Sequence, residues 1–178
     1  MKVCIYDAAE KSATGWSWAV GAKLFLWSFD RVVGVRSIQE SIKALSDCTK
    51  PITELQLWGH GAPGAPYIAG RAVDQFVMEA WAVYLAEVRL VWFRSRSVFF
   101  GGKGELFAMA WAKQFRGFSC IVAGHTHVVG PWQSGLYTLQ HGQAPSWPKY
   151  DGDPAALKSG RKQPRTIACT RMSVPKGW

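Results

Sequence analysis

LVWFRSRSVFFGGKG, residues 90–104, decides how the chain is read. Its first four residues are apolar without alternation, the mark of a central strand covered on both faces. The glycines at 101, 102 and 104 then make a turn into GELFAMAWAKQF, residues 104–115, a predicted helix with Leu106, Phe107, Ala110 and Trp111 facing inward. SCIVAG (119–124) follows as a second buried strand. A strand end projects its last side chains into a crevice, and here those are Arg94, Ser95, Arg96 and Ser97. Two cations and two serines occupy the place where a reactive group is expected.

Working outward, KVCIYD (2–7) and RVVGV (31–35) read as short strands, with an ambiguous stretch within 14–27 taken as a helix interrupted by Gly21. SIQESIKALSD carries Ser37 and Glu40 at capping-box spacing, with Ile38, Ile42 and Leu45 on one face. ITELQLWGHG (52–61) is a strand that ends at Gly59-His60-Gly61. Asp74 is placed to cap a helix over QFVMEAWAVYLAE, and GLYTLQ (135–140) is an expected edge strand. Strands alternating with helices imply crossover connections, hence an α/β three-layer sandwich around a mostly parallel sheet. One domain is expected over 1–150, with a basic Pro/Gly-containing segment at 151–178 packed on it or trailing from it. Ligands in such sheets bind outside the carboxyl ends of the strands. Three segments fall there: Gly59 to Gly61, Arg94 to Ser97, and Gly124 to His127.

The whole-chain properties narrow the classes. A chain of 178 residues can bury a real core, and no apolar run reaches the ~20 residues that span a bilayer. Acidic residues near the start, in MKVCIYDAAEK, argue against an export signal, so a cytoplasmic location and no membrane partner are expected. Cys4, Cys48, Cys120 and Cys169 form no CxxC pair and read as reduced, mostly buried thiols. A formal charge of +9 invites nucleic acid, but the one dense run is KSGRKQPR, with Lys158, Arg161, Lys162 and Arg165. That segment is expected to give nonspecific polyanion affinity rather than dedicated recognition. Trp16, Trp58, Trp92 and Trp111 lie in apolar patterns and read as core, not as base-stacking platforms.

Two motifs point to chemistry. The GHTH of IVAGHTHVVG resembles the closing metal-binding motif of metallophosphoesterases, which would make His125 and His127 ligands for Zn or Mn, with His60 or His141 as further candidates. A two-metal site also needs carboxylates. The chain has no D-x-H and no N-H-[DE], and its only GD is Gly152-Asp153.

The second motif set is the succession of Trp58-Gly59-His60-Gly61, Trp92-Phe93-Arg94-Ser95, the glycines from 101 to 104, Phe107-Ala108, Ala123-Gly124-His125-Thr126 and Trp132-Gln133-Ser134-Gly135-Leu136. It resembles the caspase-like cysteine peptidase fold shared by caspases, gingipains and separase. It is most similar to bacterial proteins with W-G-H-G and W-F-R-[ST]-C segments, over about residues 52–148. The resemblance implies His60 as the imidazole that assists a thiolate and the Gly61 amide as part of an oxyanion site. It also implies that the nucleophile position is Arg96. A guanidinium is always protonated and cannot attack a carbonyl. Cys120 begins the next strand, at the wrong end of the sheet. Alternation along a strand would set Ser95 and Ser97 opposite Arg96.

The expectation is therefore a pseudo-peptidase: a caspase-like module without its nucleophile. It would bind an acidic peptide, protein or small anion through Arg94, Arg96, Ser95, Ser97 and His125, with His60 and Gly61 vestigial and no cofactor. The alternatives are a phosphoesterase-like metal hydrolase that uses the GHTH histidines, and a nucleic-acid-binding protein.

Overall fold

The computed structural model describes residues 1–9, 28–115, 119–126, 135–145 and 147. The expected helix within 14–27, His127, Trp132 to Ser134 and the basic segment 151–178 lie outside the described residues.

Strand β7 (Leu90–Ser95) is buried at all six positions, as its unbroken apolar run requires, and it extends through Arg94 and Ser95. Around it stand β1 (Lys2–Asp7), β2 (Arg31–Val35), β3 (Glu54–Gly59), β8 (Ile121–His125) and β9 (Leu136–Leu139). The sheet order is β2-β1-β3-β7-β8-β9. The first five strands run parallel, and β9 closes the edge antiparallel to β8. All carboxyl ends of the parallel strands thus open on one rim. The architecture is mixed α/β with a mostly parallel six-stranded sheet. No helix among the described residues is long and apolar enough to cross a membrane.

The two faces of the sheet differ. Val3, Ile5, Leu55, Leu57, Val91, Phe93 and Val122 pack with residues of all three described helices in one large apolar core. The opposite face carries Cys4, Trp58, Trp92 and Ala123 in two smaller buried clusters.

Helix α1 (Ile38–Ser46) begins where the capping box predicts. Ser37 Oγ accepts the Glu40 amide at 3.1 Å, while the Glu40 carboxylate takes the Arg36 amide at 2.8 Å, one residue before the cap itself. Asp74 caps α2 (Gln75–Ala82) through the Val77 amide at 3.1 Å. This helix is shorter than its periodicity predicts, because the chain turns to bury Leu85 and Val88. Helix α3 (Gly101–Gln114) starts earlier than expected, and Gly104, Phe107, Ala108, Trp111 and Ala112 are its buried residues. Leu106, expected inward, is 66% exposed, and Ala110 is exposed as well. Aromatic packing sets that rotation: Phe93 meets Phe107 at 4.9 Å and Trp111 at 4.7 Å, both edge-on. Gly104 allows the helix to sit this close, since a Cβ there would lie 2.1 Å from the Phe99 carbonyl carbon.

One feature went unread in the sequence. β4 (Gly61–Ala62), β5 (Ala65–Ile68) and β6 (Arg71–Ala72) form a small antiparallel sheet between β3 and α2. Pro63-Gly64 joins the first pair with Gly64 at φ +80°. Ala69-Gly70 joins the second with φ +52° and +74°, the double positive φ of a type I′ hairpin.

Trp81 links the helices. It is fully buried, and its Nε1 donates to Ser41 Oγ at 3.1 Å while that hydroxyl donates to the Ile38 carbonyl. Ser41→Ala leaves the indole N–H without this acceptor, and a destabilisation of about 1–3 kcal/mol is expected in urea unfolding. A loss below 0.5 kcal/mol, on the order of an ordinary surface change, would count against that role.

Candidate functional site

Strand register brings the two rim segments together. Gly59 of β3 pairs with Ser95 of β7, so His60 and Arg96 are the next residues out of adjacent parallel strands. Both are exposed. Gly61 lies hard against the second segment. A Cβ at this position would sit 2.5 Å from the Arg96 carbonyl oxygen and 2.9 Å from Ser95 Cβ. Only glycine permits that approach.

Beside His60 opens a pocket of about 290 Å³, lined by Asp7, Ala9, Tyr67, Ala69 and Gly70 as well. Asp7, at the end of β1, is 3% exposed. Its two carboxylate oxygens accept the Ala9 amide at 3.0 Å and the Ala69 amide at 3.1 Å. The Tyr67 amide donates to the His60 carbonyl at 2.9 Å, tying β5 to the rim. Asp7 and the hairpin wall escaped the sequence reading. The aspartate that ends the first strand was the available signal, whereas Ala69-Gly70 is not one of the Asn-Gly, Asp-Gly or Gly-Gly pairs that announce a type I′ turn.

The other candidates separate into distinct environments. Arg94 is 5% exposed, and its guanidinium carbon lies 4.5 Å from the ring centres of both Trp58 and Trp92. That is a cation held between two indoles on the face away from the helices. His125 is fully buried on the same face; it stacks on Trp92, and its Nε2 accepts the Trp92 indole proton at 3.1 Å. That bond engages the Nε2 lone pair of His125. Among the described residues no group of three or more His, Cys, Asp or Glu side chains is arranged to hold a metal ion.

Ser95 is fully buried, and alternation along β7 sets it on the helix side with Phe93. Its Oγ has no hydrogen-bond partner among the described residues. Ser97 lies past the end of the strand at φ +54°, so strand alternation does not reach it, and its carbonyl accepts the Phe100 amide at 3.0 Å. A solvent-borne substrate cannot reach a hydroxyl buried like that of Ser95. The rim thus presents Arg96 and His60, while Arg94, Ser95 and His125 are structural interior.

Among the described residues, two of the thiols, Cys4 and Cys120, are buried. Burial pushes the Cys4 thiol well above its ordinary value, against the opposing Arg94 charge and with a smaller upward push from Glu54. Burial likewise pushes Cys120 up to about 12, a backbone hydrogen bond to Val91 opposing it. Cys120 precedes β8, at the end of the sheet opposite the rim.

In comparisons with known proteins, no family model, curated protein or solved structure matches the chain.

Two outcomes are expected from this geometry. Gly61→Ala forces the rim segments apart and should destabilise the fold by about 1–3 kcal/mol, the range for an overpacked site; wild-type unfolding by denaturant would remove the claimed close approach. For the thiols, the unfolded chain loses its protons near 9.0 and the folded chain only at higher pH. Their contribution is complete below pH 9.0 and declines as pH rises toward 12. Folded protein at pH 8 should therefore show Cys48 alkylated while Cys4 and Cys120 react only on unfolding, as read by peptide mapping.

Proposed function

We propose that this chain is a caspase-like module that has no nucleophile and serves as a binding domain for an acidic peptide or small anion. The strand order supports the architecture: a histidine follows the third strand of the chain's main sheet, and the residue at the nucleophile position follows the strand paired with it. The observation that carries the reading is the exposed Arg96 guanidinium, one residue beyond the Gly59–Ser95 pair and next to the His60 segment. An arginine at a rim grips carboxylate or phosphate through two parallel N–H donors. The hydroxyls nearest to it are buried or held in a turn, which leaves recognition rather than acyl transfer as the chemistry on offer.

The site is narrower than its sequence suggests. Arg94 and His125 are buried with Trp92 on the other face of the sheet, and the ligand meets Arg96, His60 and the mouth of the Asp7 pocket. Asp7 bars an anionic group from the pocket itself and admits a hydrogen-bond donor, so an acidic group on Arg96 followed by an amide or amine fits best.

Citrate, phosphate and an acidic peptide serve as probes. At a hundredfold excess over Kd, ligand adds about 2.7 kcal/mol, or roughly 5–10 °C in melting temperature for a chain of this size. Arg96→Ala should abolish the shift, and chelator should leave it intact. A shift that survives Arg96→Ala, or is removed by chelator, would overturn the reading. Arg96→Cys gives an independent check. An electrophile should label that thiol faster than the native cysteines, and a rate equal to that of Cys48 would argue against its pairing with His60.

A further inference from the structure

Away from the rim, α1 and α2 lie side by side over the core and leave a groove of about 570 Å³ between them. Ile38, Ile42, Ala72 and Val77 contribute its apolar lining. Phe76 stands in its wall and is 82% exposed, so the same face offers a large apolar knob beside an apolar hollow. Arg71 and Asp74 lie on the groove as well, and both are exposed. Neither makes an ion pair with another described residue; Asp74 commits Oδ1 to the Val77 amide, and its other oxygen is left for a partner.

We infer that this face joins two copies of the chain about a two-fold axis, with Phe76 of each seated in the groove of the other. A two-fold contact requires one patch to be complementary to itself. This patch is: it holds knob and hollow together, and both a cation and an anion among its lining residues. Arg71 faces the partner's Asp74, and the relation repeats across the axis. A ligand of a single charge sign would leave one of the two unmatched. The chain's formal charge of +9 opposes self-association, which makes matched local pairs a condition of any such contact. The inference does not depend on the rim reading.

Sedimentation velocity over a wide concentration range tests it. Wild type should pass from monomer to dimer, and Phe76→Ser should weaken the dimer at least about tenfold, as truncation of a central aromatic anchor does. Arg71→Glu and Asp74→Lys should each weaken self-association. An equimolar mixture of those two variants should form heterodimers, because each then supplies the charge that the other lacks. Circular dichroism checks that both variants are folded, since Asp74→Lys also removes the α2 cap. Wild type monomeric at every concentration, a dimer indifferent to Phe76→Ser, or folded charge variants that do not associate when mixed would each overturn the inference.

Discussion

Parallel pairing of β3 with β7 in the register Gly59–Ser95 governs where the rim residues of this molecule stand. Parallel strands deliver their carboxyl ends to the same edge, so the loops leaving them must share space. The contact of Gly61 with the Arg96 carbonyl and Ser95 Cβ is the result. A larger residue at 61 would part the loops, and a register slip of one would exchange the helix-facing side of β7 with the side that carries Trp92 and Arg94. His60 and Arg96 follow directly on this pair, which sets them on adjacent chain segments at the rim.

The same strand separates two kinds of interior. Toward the helices it presents Val91 and Phe93 to an aromatic core. Toward the other face it presents Trp92 and Arg94, and β3 presents Gln56 and Trp58 beside them. There polar groups are linked in sequence: Trp58 Nε1 donates to Gln56, Gln56 Nε2 to Glu54, and Lys2 pairs with Glu54 at 3.3 Å. A buried guanidinium is costly unless compensated. Two indole faces supply compensation worth on the order of 2 kcal/mol each when desolvated. Arg94 is thereby part of the scaffold, while Arg96, two residues further along, is exposed.

The small sheet β4–β6 turns this rim into a pocket. Its turns bring Tyr67, Ala69 and Gly70 over Asp7, while Ile68 and Val73 root it in the core at no measurable exposure. Asp7 bridges the end of β1 to the hairpin tip, so the strand that begins the chain helps shape a site built mainly by β3 and β7.

Local chemistry was legible in the sequence where it is decided locally. Ser37 and Asp74 cap their helices because a side chain three residues away from an amide needs nothing else. The unbroken apolar run of β7 announced a central strand because only burial on both faces explains it. The rim position of residues 59–61 and 94–97 followed from strands alternating with helices. What the chain alone left open depends on contacts between distant segments. Leu106 and Phe107 are equally apolar, and only the rings of Phe93 and Trp111 select which one turns inward. Arg94 and Arg96 are the same residue type two apart, and only the tryptophans on adjacent strands make one interior and leave the other at the surface. Asp7 and Ala69 are far apart in sequence and share a hydrogen bond, which no local pattern encodes.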